Sequence, residues 1–254
     1  MAKLITFSKS NGIATVTINN PPMNVLSQQV IKELGETFSR LEQDDEVISI
    51  ILTGEGDRAF MAGADIKEFP ERDSQDSIRV LPVFNQIANI PKPTIAVLNG
   101  FTLGGGLELA LTCDIRVAEE HAQIGLPEVT LGLLPGGGGT QRLPKLVGPS
   151  KAKEIMFSGA PLTAEAALDL GIVNHVVAQG DGMKKAVELA ENYARYSLQA
   201  LGRIKKLVNL TNEESLEEGL KQEEKEFEAL FATEDAQEGV QAFIEKRKPI
   251  FKHK

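Results

Sequence analysis

Short apolar runs rich in β-branched residues alternate with turn residues and amphipathic stretches along the first half of the chain. Leu4 to Phe7 and Ile13 to Ile18 flank Asn11-Gly12, a strong hairpin turn signal, and predict two antiparallel strands. Residues 20–24 read Asn-Pro-Pro-Met-Asn and predict a loop, because two prolines forbid a regular ladder. Ser27 is placed to cap a helix running to Leu41, with Val30, Ile31, Leu34, Phe38 and Leu41 on one stripe. Val47 to Thr53 is the apolar run of a strand buried on both faces. A helix is expected over Ile78 to Ile90, with Pro82 tolerated near its first turn and Pro91 and Pro93 beyond its end. Thr94 to Leu98 predicts another buried strand, Leu107 to Thr112 the start of a helix, and Ile115 to Ala118 a further strand. Strands and helices alternating at this spacing imply crossover connections and a mostly parallel sheet.

From Thr163 the pattern changes. Thr163 to Leu170 predicts a short helix closed by Gly171, and Ile172 to Val177 a strand or extended segment. Met183 to Leu210 predicts one or two helices. Thr211-Asn212-Glu213-Glu214 has the form of a capping box opening the next helix, and another helix follows Asp235. The charged run Glu213 to Glu228 reads as one solvated face, yet Leu216, Leu220, Phe227, Leu230 and Phe231 still need cover. There is no internal repeat, low-complexity tract or long linker. The expected organisation is an α/β core over residues 1–195 and a helical region over 196–254.

Composition narrows the function classes. The chain has 254 residues, 42% hydrophobic and 25% charged, an ordinary globular balance with enough length to bury a sizeable core. Cys113 is the only cysteine, which excludes an intrachain disulfide and fits a reducing compartment. The opening residues lack the apolar run of a secretory signal, and no stretch approaches the roughly 20 apolar residues of a membrane helix. The expected location is therefore cytoplasmic, although an organelle matrix would look similar. A net charge of −9 argues against a nucleic-acid partner and requires any polyanionic ligand to find a local cluster of cations or amides. His121, His175 and His253 lack metal-ligand spacing. No Cys-x-x-Cys, no Gly-x-Ser-x-Gly elbow and no phosphate-cradling Gly-Lys-Ser/Thr loop is present, so no metal or bound cofactor is expected.

Three segments carry candidate chemistry. In Asn99 to Asp114, the glycines Gly104 to Gly106 follow a buried strand and open a helix. Backbone there can approach a ligand closely, and the free N–H groups of a helix start favour a polarised oxygen. Glu108 falls in that first turn. In Gly125 to Gln141, Glu128 follows Pro127 among apolar neighbours, where a carboxyl tends to hold its proton and suits acid–base work. In Ala59 to Phe69, Ala62-Gly63-Ala64 is small enough for backbone to meet a ligand. Each segment also admits a plain structural reading: a tight strand-to-helix turn, an exposed loop glutamate, and a turn before a helix. Gly136 to Gly139 reads equally well as a mobile surface loop.

Together these segments resemble the crotonase, or enoyl-CoA hydratase/isomerase, superfamily. The resemblance is collinear and covers essentially the whole chain. It runs through Ala59 to Ile66, Asn99-Gly100, Gly104 to Glu108, Cys113-Asp114, Pro127-Glu128, Leu131-Gly132, Pro135-Gly136 and Gly138 to Leu143. Ser158-Gly159, Ala164 to Ala166 and Leu170 to Val173 continue it. It implies an α/β fold of the crotonase type, a spiral of β-β-α units with a helical C-terminal region serving trimerisation. It further implies an acyl-CoA substrate, no separate cofactor, and a homotrimer or dimer of trimers.

The resemblance also implies roles. The amides of Ala64 and Gly105 would form an oxyanion hole for a thioester carbonyl, and Glu108 and Glu128 would act as base and acid on water. Ala62, Asp65, Ile66, Gly104, Pro127 and Gly136 are the candidate substrate-binding residues. Having both glutamates points to an enoyl-CoA hydratase; the alternative within the superfamily is a Δ3-Δ2-enoyl-CoA isomerase, which can manage with one carboxylate. An RNA-binding relative is a further alternative, against which the acidic balance weighs. Asn20 to Asn24 is similar to the hydratase portions of multifunctional fatty-acid oxidation enzymes, and Leu107 replaces a smaller residue common in the family. Arg58, Lys67 and the basic tail Phe243 to Lys254, with Lys246 and Lys248, are the cations available to phosphates; a solubilising tail explains that last stretch as well.

Overall fold

The opening hairpin follows its turn chemistry. Strands β1 (Ile5–Ser10) and β2 (Ile13–Ile18) pair antiparallel, with Ser10 opposite Ile13. Asn11 and Gly12 between them both take positive φ, 50° and 77°, as a tight hairpin turn requires. This computed structural model describes residues 3–68, 79–211 and 213–253. Helix α1 (Gln28–Gln43) starts where its cap dictates: the Ser27 hydroxyl accepts from the Val30 amide. The expected stripe, with Thr37 added, faces the core.

Three similar turns follow. The first is β3 (Ser49–Gly54), β4 (Ala59–Ala62), a 3-10 turn at Ile66–Glu68 and α2 (Val80–Asn89). The second is β5 (Thr94–Leu98), β6 (Phe101–Leu103) and α3 (Gly105–Ala110). The third is β7 (Ile115–Glu119), β8 (Gln123–Gly125), a 3-10 turn at Glu128–Leu131 and α4 (Gly139–Ser158). Then come β9 (Leu162–Thr163), α5 (Ala164–Asp169), β10 (His175–Val177), α6 (Gly182–Tyr193), α7 (Leu198–Leu210), α8 (Leu216–Phe231) and α9 (Glu234–Ile244).

Each turn gives its first strand to one sheet and its second to another. The larger sheet has the order β1-β2-β3-β5-β7-β10 and is parallel from β2 onward; the smaller has the order β4-β6-β8-β9. That stacking of strand-strand-helix units is the spiral implied by the resemblance. Strand β3 is buried along its whole length, as the apolar run through Ile50, Ile51 and Leu52 predicts. Phe38, Phe60, Phe84, Ile50 and Met61 have no solvent exposure, and burying each such side chain contributes about 1.5–3 kcal/mol. Gly106 lets α3 lie flush on β4: a Cβ there would sit 1.9 Å from the Met61 carbonyl oxygen. Cys113, just beyond α3, is buried, and burial pushes its thiol up to about 11.

Several expectations need correction. Ile78 lies outside the described residues, and α2 starts at Val80. The capping box is Ser215 to Glu218, not Thr211 to Glu214. The Ser215 side chain accepts from the Glu218 amide, whereas the Thr211 hydroxyl donates back to the Val208 carbonyl and closes α7. Thr233 caps α9, so Asp235 lies inside its first turn. Helix α4 has no counterpart in the apolar pattern, because Pro144, Pro149 and a kink at Gly148 (φ 78°) interrupt it.

The C-terminal helices differ in kind. Neither α7 nor α8 buries a single residue, and Ile204, Val208, Phe227 and Phe231 are each more than half exposed. The tail returns to the fold through Asp235, whose carboxylate accepts from the Ser197 hydroxyl and from the amides of Lys252 and His253. No described helix is long and apolar enough to cross a membrane.

Candidate functional site

The chain leaves β4 through Gly63, at φ 94°, and runs alongside Leu26. Leu26 donates to the Gly63 carbonyl at 2.8 Å, and its own carbonyl accepts from Asp65 at 3.0 Å. In such a pairing the intervening Ala64 N–H faces the other way. Gly105, the first residue of α3, is close by: a Cβ added to it would stand 3.9 Å from the Ala64 nitrogen. Gly104 turns the chain at φ 53° and donates to the Gly125 carbonyl, fixing the start of α3 against β8. Backbone from two separate elements is thereby brought close together, and Gly105 belongs to the first turn of a helix, whose N–H groups are free of its own ladder.

Glu108 follows one turn later, 3% exposed. Its Oε1 accepts from the amides of Gly137 at 2.7 Å and Gly139 at 2.8 Å. Burial raises its pKa, and these two donors together with the positive charge of Arg142 oppose that rise. The glycines are required by space. A Cβ on Gly137 would meet Glu108 Oε2 at 2.7 Å and the Phe84 ring at 3.0 Å, and Gly138 sits at φ 106°. Arg142 donates to the Gly137 carbonyl at 2.9 Å and to Asn85 Oδ1 at 2.6 Å.

Glu128 stands at the start of the 3-10 turn after Pro127. A Cβ on Gly104 would lie 2.9 Å from its Oε1, so this carboxyl overlies the glycine next to the amide pair. Its Oε2 is buried and meets no hydrogen-bond partner among the described residues. Burial, reinforced by the charge of Glu108, pushes its pKa up to about 7. Two carboxyls with unlike surroundings therefore lie close to the start of α3, near enough for the charge of one to act on the other. One is held by two donors and near a cation; the other is desolvated and beside an anion.

The remaining sequence candidates divide. Ala62, Gly104 and Pro127 line the backbone next to these groups. Asp65 accepts from the Lys67 amide at 3.1 Å, Ile66 is 57% exposed, and Gly136 is exposed with open space where a side chain would be. Arg58, Lys67, Lys246 and Lys248 are solvent-exposed. The sequence reading missed Gly137, Gly139 and Arg142. The available signal was a buried glutamate needing donors, and a glycine run just before a helix supplies them. Among the described residues, no group of three His, Cys, Asp or Glu side chains could hold a metal ion.

Comparison with known proteins gives the family. A family model described as enoyl-CoA hydratase/isomerase matches residues 8–254. A probable enoyl-CoA hydratase of Bacillus subtilis is 44% identical over 254 residues, covering 98% of each chain. A short-chain-enoyl-CoA hydratase of Clostridium acetobutylicum is 40% identical over 249 residues, covering 96% of each. A solved enoyl-CoA hydratase from Bacillus anthracis superposes with a TM-score of 0.94 at 35% identity, covering 99% of this chain and all of that one.

Proposed function

Since the chain belongs to the enoyl-CoA hydratase/isomerase family, we propose that it is a hydratase adding water across the C2=C3 bond of a trans-2-enoyl-CoA to give the 3-hydroxyacyl-CoA. The observation that carries this reading is the unlike pair Glu108 and Glu128 beside the Ala64 and Gly105 amides. Addition to a conjugated thioester needs a base for water at C3, an acid at C2, and a place for the charge between them. Two carboxyls whose environments separate their proton affinities fill the first two roles. In this reading Glu108, supported by two N–H donors, takes the proton from water as its oxygen bonds to C3. Electron density moves through C2 to the thioester oxygen, which accepts from Ala64 and Gly105. Glu128, protonated up to about pH 7, then delivers its proton to C2. The proton gained by Glu108 returns through solvent to Glu128, and both carboxyls are reset.

The reading needs no metal or redox group, since the coenzyme A thioester is itself the substrate. It treats residues 1–195 as the catalytic unit and 196–254 as the assembly region of a cytoplasmic homotrimer or dimer of trimers. The exposed apolar side chains of α7 and α8 support assembly through those helices. The test is crotonyl-CoA hydration, followed by loss of the conjugated thioester absorbance, with Glu128→Gln beside the parent. Fast loss in the parent and a fall of about a hundredfold or more in the variant support the proposal. A parent silent on short and long 2-enoyl chains, yet converting 3-enoyl to 2-enoyl thioesters, would move the activity to isomerisation.

A further inference from the structure

The segment that holds Glu108 is built from three successive peptide units. The first ends in the Gly137 N–H and the third in the Gly139 N–H, and both of these donate to Glu108 Oε1. The unit between them carries the Gly137 carbonyl, and that carbonyl accepts from Arg142 Nη1. Here the two N–H groups converge on a single oxygen while the carbonyl of the peptide between them is engaged by Arg142. The guanidinium packs over the turn itself, since a Cβ on Gly138 would lie 2.1 Å from Nη1. Its Nη2 is in turn fixed by Asn85 Oδ1, from α2. No direct ion pair joins Arg142 to Glu108 among the described residues, so the link runs through the backbone.

We infer that Arg142, steadied by Asn85, is a positioning residue: it sets the glycine turn so that two amides converge on Glu108 and keep that carboxyl aimed for the proposed hydration. The inference rests on the hydratase reading and extends it to residues that touch no substrate. A planar fork reaching two acceptors at once is what this place demands, and lysine, a point charge, cannot span both. The N–H groups of Gly137 and Gly139 form a concave anion site, here occupied by the protein's own side chain.

The test has two arms. In the first, Arg142→Gln, Arg142→Lys and Asn85→Ala are assayed on crotonyl-CoA across pH. Arg142→Gln should lower kcat by roughly tenfold to a hundredfold, since a misaimed catalytic group costs rate rather than binding, with KM changed less than about threefold. The acid limb of its pH profile should move to higher pH, because Glu108 loses a nearby positive charge and firm donors. Arg142→Lys should restore part of the pH shift, and Asn85→Ala, at an exposed position, should show a smaller change in the same direction. In the second arm, the Glu108 carboxyl is titrated by carbon NMR in the parent and in the folded variants. A rise in its pKa in Arg142→Gln and Asn85→Ala supports the inference even if crotonyl-CoA is not turned over, so failure of the hydratase reading remains separable. An unmoved acid limb and an unmoved Glu108 titration in folded variants would overturn it, as would a loss expressed only in KM.

Discussion

Glu108 and Glu128 are the same residue type a short distance apart, and the fold treats them in opposite ways. Glu108 sits on a regular helix and is gripped by two amides; Glu128 opens a 3-10 turn, with one oxygen buried and unpartnered. Both are desolvated, so burial alone cannot separate them. The difference lies in what else each one faces: two donors from another segment and a cation for the first, its own backbone amide and an anion for the second. Acid and base are thus assigned by neighbours rather than by residue type.

The sharpest way to break the comparison is to neutralise each member. Glu108→Gln keeps an oxygen to accept from Gly137 and Gly139 but removes the base. It should cost about a thousandfold or more in kcat while leaving the thermal midpoint nearly unchanged, as steady-state kinetics and a melting curve would show. If this variant hydrates at the parent rate, Glu108 is not the base. Next in size, Gly137→Ala drives a methyl toward Glu108 Oε2 and the Phe84 ring and should lower kcat by about a hundredfold through misplacement. Retained activity there would mean that the grip on Glu108 is dispensable.

The pH profile sharpens the contrast further. kcat/KM should be bell-shaped, its acid limb reporting ionisation of the base and its alkaline limb, falling through about pH 7, loss of the acid's proton. Because the two groups interact, the limbs belong to the pair. The alkaline limb should vanish in the residual activity of Glu128→Gln, and its persistence would assign it elsewhere. The smallest effect is on stability. The folded pKa of Glu128 is raised above its unfolded value, so folding is favoured by a bound proton. That contribution is complete below about pH 4.5 and is lost as pH rises through about 7. Glu128→Gln should therefore melt about 2–4 °C higher than the parent at pH 8 and alike at pH 4, in scanning calorimetry at both pH values.

Much of the larger sheet was legible in the chain, because its strands carry runs rich in β-branched residues such as Ile50 to Thr53. The smaller sheet was not. Strands β6 and β8 are three residues each, too short for any period to register, and β9 has only two. The spiral is a statement about where those short strands pair, so it came from family resemblance alone. The cap of α8 was misplaced because Thr211 to Glu214 and Ser215 to Glu218 share one pattern; the tie is broken by Leu216, the first apolar residue of the helix, which follows Ser215 directly. Both glutamates were visible as candidates. Their meeting came from the family resemblance and not from the pattern, since strands β7 and β8 lie between them in the chain; the grip on Glu108 was not legible at all, because the apolar pattern carries no trace of backbone amides.

Cys113 gives the protein a built-in stopwatch. It is the sole thiol, it lies just past the helix that bears Glu108, and burial keeps it from ionising. A thiol-labelling reagent present in excess can therefore mark only molecules that have opened around it. The labelling rate of the native protein, divided by that of the unfolded chain, measures how often the floor beneath the site comes apart. A substrate that binds the closed form would slow it in proportion to its occupancy.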